Sequence, residues 1–181
     1  MLPLLFRQVL GTIGKKYLKN VITQMLKRVF FKYRGGNLLL DSSKGTYILI
    51  LYLEQDKEIV VGRQRSSSSV LFRAGYYAYV GSAHGPGGLR SRINRHLIKD
   101  KKSVWHIDYL RKEASPVEVW VNVDEKKEER IWADALVLMK RSHTVENFGN
   151  TDDRKARTHL CYFTNRPSIQ AFRRLVMQMG T

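Results

Sequence analysis

The stretch from Gly75 to Leu97 limits the fold more than any other part of the chain. In Gly75-Tyr76-Tyr77-Ala78-Tyr79-Val80-Gly81-Ser82, the residues Tyr77, Tyr79 and Gly81 alternate with Ala78, Val80 and Ser82. A period of two predicts a strand with two unlike faces, one of them lined by tyrosine. Gly85-Pro86-Gly87-Gly88 follows, and glycines there permit a sharp reversal or a close approach to the backbone. Leu89, Ile93 and Leu97 then recur four apart, the spacing of a helix with one face toward a core. Arg92 and His96 stand at the edge of that stripe, and Arg92, Arg95 and Lys99 make a cationic flank. The same pattern also suits a buried strand followed by a surface helix with solvated arginines.

Upstream lies a second β-rich run, Gly45-Thr46-Tyr47-Ile48-Leu49-Ile50-Leu51, close enough in sequence to pair with the Tyr79 strand. Gly45-Thr46-Tyr47, Tyr79-Val80-Gly81 and Gly88-Leu89-Arg90-Ser91-Arg92, with His96 four residues on, resemble the ordered motifs of the GIY-YIG nuclease superfamily. The string YYAYVGSAHGPGGLRSRINRHL, with WHIDYL at 105–110, FGNTDD at 148–153 and THLCYF at 158–163, resembles its small stand-alone Uri-like subfamily. The likeness runs from about Gly45 to Phe163. It implies an α+β domain with a small, largely antiparallel central sheet flanked by helices.

The resemblance also implies a chemistry. Tyr47 and Tyr79 are the two motif tyrosines, one of which would orient or deprotonate the attacking water. A phenol titrates near pH 10, so a phenolate there needs nearby cations or a metal. Arg92 would grip the non-bridging phosphate oxygens with its planar fork, and His96 would bond the same phosphate or assist proton transfer. Glu129, in a segment similar to the subfamily's Glu-Cys-x-x-Ala, would hold one Mg²⁺. Helical phase with Ile131 and Ala135 inward puts Glu128 nearer the buried face, which keeps it as the second candidate. The chain departs from the subfamily at Arg130, Asp153 and Lys155, where that pattern has cysteines.

Charge adds a partner class. The 32 Lys and Arg against 16 Asp and Glu give a formal charge of +16, a field that attracts polyanions. DNA is expected ahead of RNA, with Arg63, Arg65, Arg90, Arg95 and Lys99 as further phosphate contacts; Arg63 and Arg65 in their serine-rich loop also suit plain solvation. The single cysteine, Cys161, excludes an internal disulfide and a cysteine-rich zinc module, and points to a reducing compartment such as cytoplasm or nucleus.

At 181 residues the chain suits one domain, 41–181, behind an extension, 1–40. The extension has no acidic residue, and Leu5, Val9, Ile13, Tyr17, Val21, Met25 and Val29 recur every four, the pattern of a basic amphipathic helix. Its lysines interrupt every apolar run before about 18 residues, too soon for a membrane span. It suits a mitochondrial presequence, a helix on an anionic membrane through residues 1–33 or on nucleic acid, or a helix packed on the domain.

Tyr47–Leu53 and Ile59–Val61 read as a hairpin across Glu54-Gln55-Asp56-Lys57, with Gly62–Ser69 as a loop. Val117, Val119 and Val121 alternate with polar or aromatic neighbours as in a strand. Lys126–Lys140 reads as a helix with Ile131, Ala135 and Leu138 inward. Leu160–Phe163 reads as a short strand, and Pro167 begins a last helix faced by Ile169, Phe172, Val176 and Met179. His106 and Asp108 either order the site by hydrogen bonding or seat a helix.

Two functions compete on these residues. One is a Mg²⁺-dependent endonuclease, with a protein partner for targeting. The other is a nucleic-acid-binding protein on the same fold that does not cut.

Overall fold

The structure is a computed structural model that describes residues 31–33, 42–62, 67–124, 126–145, 148 and 158–179. Of the expected helical extension, 1–40, the structure describes residues 31–33 alone, and the loop arginines Arg63 and Arg65 lie outside the described residues.

Eight strands and four helices run in the order β1 (Phe31–Tyr33), β2 (Gly45–Leu53), β3 (Lys57–Val61), β4 (Ser68–Phe72), β5 (Gly75–Ser82), α1 (Gly88–Leu97), α2 (His106–Glu113), β6 (Ser115–Val123), α3 (Glu129–Leu138), β7 (His143–Thr144), β8 (Leu160–Phe163) and α4 (Ile169–Met179) among the described residues. Six strands form one antiparallel sheet in the order β1-β6-β2-β5-β8-β7. The expected α+β class, a largely antiparallel sheet flanked by helices, is the observed one.

Strand β2 is apolar at consecutive positions because both its faces are covered. Tyr47, Leu49, Leu51 and Leu53 face a core completed by Leu89 and Ile93 of α1 and by Ile107 and Leu110 of α2. Ile48 and Ile50 face the opposite core, with Trp120 of β6, Trp132 and Leu136 of α3, and Phe172 and Val176 of α4. Each such aliphatic side chain contributes about 1.5–3 kcal/mol through its burial, so the sheet is the rigid plate on which everything else is mounted.

Three expectations are corrected. Strand β3 does not pair with β2; it pairs with β4 in a separate two-stranded sheet, while β2 lies between β5 and β6. Ile59, Val61 and Phe72 of that hairpin close one side of the first core. Phe31–Tyr33, counted in the helical extension, is a strand paired with β6. Finally, α3 turns Trp132, Ala133, Ala135 and Leu136 inward, whereas Ile131 and Leu138 are 37% and 62% exposed.

Helix α4 starts two residues after Pro167, where Ser168 Oγ accepts from the Ala171 N–H at 3.4 Å as an N-cap. Met179 at its far end is exposed. No helix among the described residues is long and apolar enough to cross a membrane.

Candidate functional site

A cleft of about 830 Å³ opens where the ends of β2 and β5 meet α1, α2 and α3. Tyr47, Tyr79, Arg92 and Glu129 line it, and His96 lies directly behind Tyr47. Four of the five residues expected to carry chemistry thus meet in one cleft from β2, β5, α1 and α3, whereas His96, expected at the phosphate, is 0% exposed and reaches the cleft only through Tyr47.

The glycine motifs make this convergence sterically feasible. Gly81 stands opposite Tyr47 in the β2–β5 register, and a Cβ there would lie 2.3 Å from the Tyr47 hydroxyl. The glycine of Tyr79-Val80-Gly81 therefore makes room for the other tyrosine. At the start of α1, Gly88 has φ +54°, and a Cβ on it would lie 2.2 Å from Ser42 O. The close approach read from the sequence is thus made by the chain's own backbone: the Leu89 N–H donates to Ser43 O at 2.9 Å.

The Tyr47 hydroxyl and His96 Nε2 share a hydrogen bond of 2.7 Å. Both side chains are buried, and His96 is also packed by the rings of Tyr79 and Trp105 at 5.8 Å and 5.6 Å. Burial, with Lys101 and despite Asp108, lowers the His96 pKa to about 3. Burial, with Tyr79 and despite Arg92, pushes the Tyr47 phenol well above its ordinary range. The pair is neutral, so the cations near Tyr47 do not yield the phenolate that base chemistry needs. His96 Nδ1 is buried with no hydrogen-bond partner among the described residues. An orphaned lone pair costs less than an orphaned N–H. The favoured tautomer therefore has Nε2–H donating to Tyr47, which frees the Tyr47 hydroxyl proton for the cleft.

His96 is fixed from behind. Arg111, 6% exposed, donates from Nε to His96 O at 2.8 Å, from Nη2 to Leu97 O at 3.0 Å and from Nη1 to Ala114 O at 3.1 Å. One guanidinium thereby satisfies the carbonyls that end both α1 and α2.

Arg92 is half-buried, with its guanidinium carbon 4.8 Å from the Trp105 ring centroid. Arg95 is engaged by Asp108, with Nη2 at 2.8 Å from Oδ2, so it serves as an ion-pair partner before it can serve as a phosphate contact. Arg90 and Lys99 are exposed on and just beyond α1 and do not line the cleft.

The two glutamates divide cleanly. Glu128 precedes α3, and its carboxylate accepts from Trp132 Nε1 at 3.2 Å and Asn122 Nδ2 at 3.4 Å, turned away from the cleft. Glu129 opens α3, where a carboxylate is favoured by the helix dipole, and it lines the cleft with Oε1 3.2 Å from His159 Nδ1. Ile131, whose inward turn would favour Glu128 for the buried face, is 37% exposed.

Among the described residues no group of three or more His, Cys, Asp or Glu is arranged to hold a metal ion. Glu129, 29% exposed and the one carboxylate among the described lining residues, suits Mg²⁺, which keeps several waters and takes one or two carboxylates with substrate phosphates.

His84, Trp105, Lys127 and His159 also line the cleft, without a role expected from the sequence. His84 Nδ1 shares a 2.9 Å hydrogen bond with Ser82 Oγ. Trp105 and His159 belong to strings singled out above without a role; Lys127 carried no signal at all.

Fold and cleft together define an α+β domain with a polar cleft of tyrosine, arginine, histidine and glutamate at one edge of its central sheet. The chain belongs to the family described as a domain of unknown function, DUF123, whose model matches residues 46–180. No curated protein and no solved structure gives a significant match.

Proposed function

We propose that this protein is a divalent-metal-dependent endonuclease of GIY-YIG type that hydrolyses phosphodiester bonds, with DNA as its substrate. The observation that carries the reading is the meeting of Tyr47, Tyr79, Arg92 and Glu129 in one cleft, backed by His96 on Tyr47. These are the residues the motif likeness singles out, and they come from four separate elements.

Each has a task its environment suits. The neutral Tyr47 hydroxyl orients the attacking water, helped by Tyr79. Arg92 binds the non-bridging oxygens, where a planar fork serves better than a point charge. Glu129 would hold Mg²⁺, whose chemistry when bound is to polarise the phosphate and assist the leaving oxygen. A formal charge of +16 supplies sequence-independent affinity for the polyanion.

Labelled duplex, single-stranded and flapped DNA and structured RNA, each with Mg²⁺ or EDTA, test the reading. Metal-dependent cutting, abolished by Arg92→Ala and Glu129→Gln while binding persists, is expected. Tight binding without cutting on every substrate would replace the nuclease by the non-cleaving nucleic-acid-binding protein.

A further inference from the structure

The run Trp105-His106-Ile107-Asp108 has no part in the reaction just described, yet it is built around a buried carboxylate. Asp108 is 1% exposed. Its Oδ2 accepts from the backbone N–H groups of Val104 at 3.0 Å and Trp105 at 3.1 Å and from Arg95 Nη2 at 2.8 Å. Lys101 Nζ lies 2.9 Å from Oδ1. These donors come from α1, from the loop after it and from the turn into α2, so one carboxylate ties the three together.

What that tie holds in place is the Trp105 indole. Its ring centroid is 4.8 Å from the guanidinium carbon of Arg92, 4.4 Å from that of Arg95 and 5.6 Å from the His96 ring. Residues 92, 95 and 96 are spaced three and four apart, one face of a helix. Trp105 therefore covers the face of α1 that turns Arg92 to the cleft and His96 to Tyr47.

We propose that Trp105 and Asp108 are positioning residues for Arg92. Asp108 fixes the Trp105 backbone and the Arg95 side chain, and the indole face then restricts the plane of the Arg92 guanidinium. Stacking leaves the guanidinium edge free, so its N–H fork stays available to phosphate oxygens. An unsupported arginine would sample many rotamers and lose that alignment. Arg95 accordingly contributes packing to the brace, with its Nη2 engaged by Asp108, which it shares with Lys101. This assignment rests on the nuclease reading for its catalytic consequence, but not for its geometry.

The test uses the full chain with Trp105→Leu, Trp105→Phe and Arg92→Ala, in two arms. In single-turnover cleavage of labelled DNA with Mg²⁺, Trp105→Leu is expected to slow cutting about 10–100-fold while Kd stays within about threefold. Trp105→Phe, which keeps a ring face, is expected to recover most of the rate at equal thermal stability. Unchanged cutting in Trp105→Leu, or equal losses in both variants that track their melting temperatures, overturns the proposal.

The second arm is independent of cleavage. Trp120 and Trp132 are 0% exposed, so among the three tryptophans Trp105 alone reports from the cleft. Arg92→Ala is expected to change tryptophan emission in wild type and leave it unchanged in a Trp105→Phe background. If the wild type cuts no substrate, the nuclease reading falls and this arm still decides the positioning; emission indifferent to Arg92→Ala overturns it.

Discussion

Tyr47 Oη and His96 Nε2 lie 2.7 Å apart, and both side chains are withdrawn from water. A strand residue and a helix residue separated by 49 positions are thus a single polar unit inside an otherwise apolar contact. Such a unit is costly to break from one side, because the partner left behind loses its hydrogen bond without regaining water.

Tyr47→Phe removes only the hydroxyl. It is expected to destabilise the fold by about 1–3 kcal/mol, the cost of an unsatisfied buried group, and to abolish cutting. Urea unfolding measures the first effect and a labelled-DNA assay the second. A variant that keeps both full stability and full activity would remove Tyr47 from the site.

Stability should also depend on pH through His96. Its pKa falls from 6.5 to about 3 on folding, so between those values the unfolded chain binds the extra proton. Stability therefore rises with pH across that window and is lost as pH falls, by about 1.4 kcal/mol per pH unit at full effect. Tyr47 acts at the other end. Its raised pKa means the folded chain keeps a proton that the unfolded chain releases above about pH 10, so stability declines from there upward. Urea midpoints measured from pH 7 down to 4 should fall for the wild type and fall less for His96→Gln. Equal slopes in the two would sink the assignment.

Gly81→Ala should displace the Tyr47 ring, since the new Cβ would fall 2.3 Å from its hydroxyl and 2.4 Å from Cζ. Overpacking of this kind costs about 1–3 kcal/mol, read as a lower urea midpoint. Truncating the tyrosine relieves the clash, so Gly81→Ala combined with Tyr47→Ala should cost less than the sum of the two single changes. Strict additivity would show that the two positions do not meet.

Much of this was legible in the residues. Alternation marked β5, whose tyrosines Tyr77 and Tyr79 face one core and whose small residues Ala78 and Val80 face the other, and the spacing of Leu89 and Ile93 marked the apolar face of α1. The β2–β3 hairpin was misread for a physical reason: a strand buried on both faces looks like any apolar run, and nothing in Glu54–Lys57 says which strand will pair with it. In α3, Ile131 and Leu138 are as apolar as Trp132 and Leu136, so hydropathy alone left the phase open and packing against α4 decided it. The burial of His96 could not be read either, since a histidine at a stripe's edge suits solvent or core equally until its partner 49 residues away is known. Trp105 stood in plain view within a recognised string, but its contact with Arg92 exists only once α2 folds back on α1.

The neighbouring glutamates give the sharpest separation of structure from chemistry. Glu128 accepts from the Trp132 indole and from Asn122 across the entrance to α3, whereas Glu129 faces the cleft beside His159. Glu128→Ala should therefore lower stability by about 1–3 kcal/mol, through loss of the carboxylate's hydrogen bonds to Trp132 and Asn122, and leave metal-dependent cutting largely intact at temperatures where the variant is folded. Glu129→Gln should do the reverse: a nearly unchanged urea midpoint, with cutting lost at any Mg²⁺ concentration, because an amide oxygen binds a hard cation far less well than a carboxylate. Parallel urea titrations and Mg²⁺-dependence curves on the two variants decide between them. Were Glu128→Ala the one to lose cutting while folded, the metal-holding role would pass to Glu128, and the His159–Glu129 contact would become the structural one.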